Sequence, residues 1–443
     1  MNKKNFWKDT IIVGLALFST MFGAGNLIFP PQIGLFSGDQ WVLGVLGLLL
    51  GGIILPVLAL WAVNNVGDKA QDLMGHVSPW FYNAYYLIGC SFIAMGSTLP
   101  KSAATTHEMA IQPLFPNVPI WVTVIVFFVL VYFFACDPNS VIDKLGKYMT
   151  PILVILLAIV LIKGVISPVG TPVDTGIDNA FGDAILTAYN TGDLTVGIMF
   201  ASVILLDLRR RGYTGAESKK GGYMAGVVSI VVLLAVYGTL TYIGACASGV
   251  YSQDTPQTVL LSGIIQSIMG PVGMACLGGA VALACLTTAV GIGTTCVGFF
   301  YDFFKRKIPY KVLVLIACII GIFMGITGVQ NIVNYVTPIF LVVYPALIVN
   351  TVLGLLNKYL PNDGFYKGGV LMAVVVSLGD AVLSVNPNIG WLRNFMDLFP
   401  FSGLGFAWVV PTIIGMVVGA IICRGKPKYQ PLPDPAEVSA QEK

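Results

Sequence analysis

Charge is what this 443-residue chain has least of: only 10% of its residues are Asp, Glu, Lys or Arg, against 56% hydrophobic, and the mean hydropathy is +0.84. Such a chain cannot clothe a water-soluble globule in polar surface, which leaves an all-α polytopic membrane protein. Two histidines, His76 and His107, cannot build a metal site unaided. Eight cysteines, at 90, 136, 246, 276, 285, 296, 318 and 423, lie in or beside apolar stretches without short paired spacing. They read as small packing residues, not as a disulfide or zinc framework. No Gly-x-x-x-x-Gly-Lys loop is present, so pumping driven by ATP would need a separate subunit. The net charge of +3 comes from basic residues scattered over many short loops, which is no footprint for a nucleic acid. No soluble domain is visible, and the clearly polar end, 424–443, reads as an extended cytoplasmic tail.

What is there is a series of long apolar runs, about twelve by the length needed to cross a bilayer. They fall at 10–36, 41–63, 80–109, 118–136, 146–166, 190–208, 221–248, 268–300, 310–327, 331–356, 367–386 and 404–423. With an even number of spans both termini share one side. Of the 24 lysines and arginines, only Lys101, Lys163 and Arg393 fall away from that side, so both termini are expected to be cytoplasmic. The loop 167–190 carries Asp174, Asp178 and Asp183 and no basic residue, which suits the exterior face. The first run is read as a span and not as a signal peptide, because no small-residue cleavage site precedes its polar break.

That break is the most informative feature. Phe22-Gly23-Ala24-Gly25-Asn26 and Pro30-Pro31 interrupt a run with no charge, and backbone groups freed inside hydrocarbon must line a protein-walled site or bind something. If the helix opens there, the N–H groups of Ala24 and Gly25 begin a second half-helix and suit a carboxylate, while carbonyls from Ser19 to Phe22 suit Na⁺ or an ammonium. Helix–helix packing is the alternative for Gly-x-Gly, but Asn26 and the prolines argue against it. The sixth run is the other odd one. Its uncharged part, 194–206 between Asp193 and Asp207, is short for a crossing, and Gly192, Gly197 and Ala201-Ser202 loosen it. Two interrupted spans at matching places in two halves point to a transporter binding site. An ordinary helix with snorkelling charges is the alternative for the sixth. In the eighth run Ala284-Cys285-Leu286-Thr287-Thr288 sets two hydroxyls beside one carbonyl, enough to complete an oxygen cage for a small hard cation, unless the threonines merely bond back to their own helix.

The Phe22–Pro31 break and the Ala-Cys-Leu-Thr-Thr segment resemble the ion- and substrate-binding helices of the LeuT-type sodium symporter fold. Nearly the whole chain is similar to the bacterial branched-chain amino-acid carrier family (BrnQ-type, LIVCS). The similarity runs through Gly14-Leu15-Ala16-Leu17-Phe18-Ser19, Leu99-Pro100-Lys101, Thr191-Gly192-Asp193-Leu194 and Asn334-Tyr335-Val336-Thr337-Pro338. The resemblance implies a sodium-coupled importer of leucine, isoleucine and valine in the bacterial cytoplasmic membrane. Its fold would be two inverted five-helix repeats, 10–166 and 190–356, with helices 1 and 6 discontinuous and two further helices in 367–423. By position, sodium would touch the backbone oxygens of Ser19, Phe22 and Ala284 and the hydroxyls of Thr287 and Thr288. The substrate carboxylate would meet Ala24 and Gly25, and its ammonium would meet carbonyls near Met21 and around Phe200, Ala201 and Ser202. Asn26 matches a position that holds a second sodium in some relatives. The expected partners are small neutral aliphatic amino acids and membrane lipid, with no organic cofactor.

Lys101 departs from the family pattern, which more often has arginine there, and an ionisable residue inside a span must face protein or water. Glu108 follows two turns later on the same helical face. A gate or counter-charge and a lysine snorkelling to the exterior headgroups are both open. Proton-coupled transport of other neutral amino acids is the alternative function. A channel would show a repeated filter loop or rings of charge, and an enzyme would need a nucleophile with its base or a metal cluster at membrane depth; neither is seen.

Overall fold

The first apolar run does break. In the computed structural model, which describes residues 5–67, 69–136 and 150–431, helix α1 (Phe6–Met21) stops, Phe22 and Gly23 are extended, and α2 (Ala24–Ser37) starts. The prolines do not contribute to the opening: Pro30 and Pro31 lie inside α2 and only deprive the carbonyls of Asn26 and Leu27 of their usual donors. The remaining helices are α3 (41–66), α4 (81–111), α5 (Ile120–Ala135), α6 (Thr150–Ile166), α7 (Ala180–Tyr189), α8 (Asp193–Arg210), α9 (Gly215–Ala245), α10 (Gln257–Phe303), α11 (Tyr310–Gly325), α12 (Val329–Leu355), α13 (Gly364–Val385) and α14 (Val409–Ile422). Both α3 and α4 contain π-helical turns, at Leu49–Ile54 and at Gly89–Thr98 and His107–Ile111. Helix α10 is two helices joined at a kink at Gly270, next to Pro271, so its span is the part after the kink.

The protein is all-helical among its described residues. Five helical runs are long and apolar enough to cross a membrane, or six if α7 and α8 form one bent span; α5, α11 and α14 and most of α6 are shorter apolar helices. Residues 1–4, 68, 137–149 and 432–443 lie outside the described residues, and with them Lys3, Lys4, Lys144, Lys147, Lys443, the start of the expected fifth span and most of the tail.

The sixth apolar run departs from expectation. A helix occupies 180–189, where acidic residues suggested exterior loop, and the interruption falls at 190–192 and bends the axis by 52°. Helix α8 then runs unbroken through Phe200, Ala201 and Ser202, so their carbonyls stay inside a continuous ladder. The cause is local: Asn179 caps α7 by accepting from Gly182 N–H (3.1 Å), and Gly192 takes a left-handed φ of 82°, which a side chain would strain.

The two broken runs are antiparallel. Asp9, at the start of α1, meets Arg211 (3.3 Å) and the Tyr213 hydroxyl (2.8 Å) just past the end of α8. At the opposite face the end of α2 meets the segment before α7, with Thr175 donating to Phe36 O (2.6 Å) and Gln40 to Ile177 O (3.1 Å). Helix α2 packs on α9 backbone to backbone: a Cβ on Gly34 would lie 1.9 Å from Thr241 O, and one on Gly244 1.9 Å from Pro31 O. Small residues permit this approach in membranes. Gly34→Val is therefore expected to lower thermal stability by at least the ~1–3 kcal/mol of an overpacked core. Gly298→Ala, with nothing within 4 Å of its Cβ position, should melt like the parent.

Candidate functional site

The first break leaves backbone groups of both signs in one place. Phe22 N–H makes the last α1 bond, to Phe18 O (2.8 Å), and there the ladder of α1 ends. At the other lip, Ala24 and Gly25 are the first residues of α2, with their N–H groups at its positive end. Asn26 ties the lips together by donating to Met21 O (2.7 Å). The same amide donates to the Asp193 carboxylate (2.8 Å) and lies against the Tyr237 hydroxyl, with Asn26, Asp193 and Tyr237 all buried.

Asp193 is the first residue after the second break, so Asn26 joins the two breaks directly. Lys101, on α4, joins them again: its ammonium donates to Asn190 O (2.9 Å) in the second break and lies 3.3 Å from the Cβ position of Gly25 in the first. Lys101 is 2% exposed and its charge interacts with that of Asp193. Helix α12 buttresses the second break. Tyr344 Oη accepts from Leu194 N–H (3.2 Å), and Thr337 donates to Asn190 Oδ1 (2.8 Å).

Of the expected cation ligands, the structure brings Phe22 and Thr288 together, with the hydroxyl donating to Phe22 O (3.2 Å), although they are 266 positions apart. Thr287 bonds back to Ala284 O (3.0 Å), the ordinary fate of a membrane threonine. Ser19, Phe22, Ala284, Thr287 and Thr288 are all buried. Carbonyl and hydroxyl oxygens of this kind suit a hard cation. Phe200 faces α10, where a Cβ on Gly291 would lie 3.6 Å from its ring, and the Ser202 hydroxyl accepts from Ala70 N–H (3.1 Å) at the end of the bundle, away from both breaks.

A family model described as branched-chain amino acid transport protein matches residues 6–426. The chain belongs to that family. Among its relatives, the branched-chain amino acid permease BraB of Bacillus subtilis is 28% identical over 428 residues, which is 94% of this chain and 95% of that one. Two solved structures share the fold. The manganese transporter of Eremococcus coleocola has a TM-score of 0.63 at 13% identity, covering 95% of this chain and 97% of its own. A Na⁺-coupled sialic acid symporter in a substrate-bound outward-open state has 0.62 at 12%, covering 93% and 90%. This member of the branched-chain amino acid transport family is thus a multi-pass membrane transporter with a LeuT-type fold, and not an enzyme.

Sequence reasoning passed over Asp193 and Tyr237 as site residues. Asp193 was visible as an acid beside a glycine at the edge of a short apolar run; Tyr237, inside an apolar helix, gave no signal. Glu108 does not face Lys101: it accepts from Val329 N–H (2.9 Å) and from Thr258 (2.6 Å), capping α12.

Proposed function

We propose that this transporter imports leucine, isoleucine and valine by symport with sodium through alternating access. The observation that carries the reading is the meeting of two antiparallel, broken helices, through Asn26 and Asp193, beside an oxygen cluster that links Phe22 to Thr288. Open carbonyls and open N–H groups in one dry place suit a cation and a zwitterion together. Sodium would be held by the backbone oxygens of Ser19, Phe22 and Ala284 with Thr287 and Thr288, and the substrate carboxylate by Ala24 and Gly25. The ammonium would turn to Met21 O and, given where the second break falls, to the carbonyls of 190–192 in preference to those of Phe200, Ala201 and Ser202. The wider frame is twelve spans in two inverted five-helix halves plus two helices, with both termini cytoplasmic. Among the described residues no three of His, Cys, Asp and Glu gather as a metal-binding group, so the manganese of the structural neighbour is not carried over.

Coupling requires that sodium and substrate bind the alternating states of the transporter with different affinity. Radiolabelled leucine should therefore accumulate in proteoliposomes under an inward sodium gradient and should not without it. Accumulation indifferent to sodium would end the symport reading. The buried carboxylate of Asp193 favours a second reading, coupling to protons, which predicts accumulation under an inward proton gradient in sodium-free buffer. One methylene in an apolar pocket is worth only ~1–3 kcal/mol. Leucine, isoleucine and valine are accordingly expected to compete, with inhibition constants within about two orders of magnitude of one another.

A further inference from the structure

Lys101 is the one lysine or arginine counted as buried among the described residues, and its placement is unusual. An ammonium carries three donors. Here one goes to Asn190 O at 2.9 Å, and no other hydrogen-bond acceptor is present among the described residues. The Phe29 ring, its centroid 5.4 Å away, offers a face but no lone pair. The ammonium also stands at the first turn of α2, whose free N–H groups make that end positive. Two positive ends thus point at one spot, and the acid in reach, Asp193, is held by Asn26. Both features would be relieved by a single anion between them. Gly25 lets the ammonium come this close to the turn, since a Cβ there would already sit 3.3 Å from Lys101 Nζ, from the Phe29 ring and from Thr191 Cα.

We infer that Lys101 is a substrate-binding residue: its ammonium pairs with the carboxylate of the transported amino acid at the N-terminus of α2. The Asn190 carbonyl is its acceptor when no substrate is bound. This rests on the amino-acid reading above and adds a charged anchor, carried on α4, to the backbone groups of the first break. Binding then does two things at once. It neutralises the buried ammonium, and it frees the Asn190 carbonyl in the second break for the substrate's ammonium.

The test compares ligands that differ only at the carboxylate. Affinities of the purified, full-length protein for leucine and leucinamide are read in sodium buffer from ligand-induced thermal stabilisation. The wild type should prefer leucine to leucinamide by tenfold or more, as expected for a charge-assisted pair worth about twice a neutral hydrogen bond. In Lys101→Met the leucine affinity should fall by about that factor while leucinamide holds, so the preference collapses. Lys101→Arg should keep the preference. Gly25→Ala, which leaves every charge in place, should weaken leucine more than leucinamide. If Lys101→Met melts cooperatively and retains the wild-type ratio, or weakens both ligands equally, the assignment is overturned. Should that variant fail to fold, Lys101→Gln replaces it and is read by the same ratio. A wild type that leucine does not stabilise would overturn the amino-acid reading itself, and a wild-type ratio in a variant without the charge at 101 would overturn the anchor alone.

Discussion

Thr288→Ala is expected to raise the sodium concentration for half-maximal leucine uptake by about tenfold or more, with a much smaller change in maximal rate at saturating sodium. The magnitude follows from one oxygen ligand: a hydrogen bond to a charged group is worth ~1.5–3 kcal/mol, and each 1.4 kcal/mol is a factor of ten. Thr288 is the better choice of the pair because its hydroxyl crosses to Phe22 O, whereas Thr287 bonds within its own helix. Thr288→Ser keeps the oxygen and should behave nearly as the parent. The measurement is a sodium titration of initial uptake rates in proteoliposomes. An unaltered sodium dependence in Thr288→Ala would remove the oxygen cluster from the coupling mechanism, since the lost hydroxyl is one of the two side-chain ligands proposed.

The second large effect is expected at Asp193. It accepts the Asn26 amide that also spans the first break, and its charge opposes that of buried Lys101. Asp193→Ala removes the acceptor and the charge together, leaving the buried Asn26 amide short of a partner. Leaving a buried donor unsatisfied costs about 1–3 kcal/mol, so the variant should lose uptake and melt below the parent. Asp193→Asn separates the two losses. It preserves an acceptor for Asn26, so it should fold with a smaller penalty and still fail to accumulate leucine. If Asp193→Asn instead accumulates leucine as the wild type does, with the same sodium and pH dependence, the carboxylate is not part of either the sodium or the proton reading.

How far the sequence reached can be judged from three places. The break at Phe22-Gly23 was legible because glycines and an asparagine inside an uncharged run violate what hydrocarbon permits, and that violation needs no tertiary information. The prolines beside it gave the same signal falsely, because a helix surrounded by protein tolerates two lost N–H groups. The second break was misplaced by about ten residues. Asp174, Asp178 and Asp183 read as loop polarity, whereas the spacing of Ala180, Ala184, Ile185, Ala188 and Tyr189, all buried, is that of a packed helix. What no local pattern could supply is pairing across the chain. Asn26 reaches Asp193 over 167 positions and Tyr237 over 211, and the meaning of each residue lies in the other two. Lys101 shows the same limit: charge inside a span marked it as constrained, but only the fold sets it beside Gly25 and Asn190.

Hydrogen exchange at the two breaks tests the central claim most directly. Peptides covering 22–26 and 189–194, followed in the purified transporter with and without leucine and sodium, report whether those backbone groups are the ones ligands occupy. Protection should rise in both peptides when leucine and sodium are added together, and less with either alone, while a peptide in α13 stays unchanged. Saturating leucine and sodium that leave both breaks exchanging at their ligand-free rates would contradict the account.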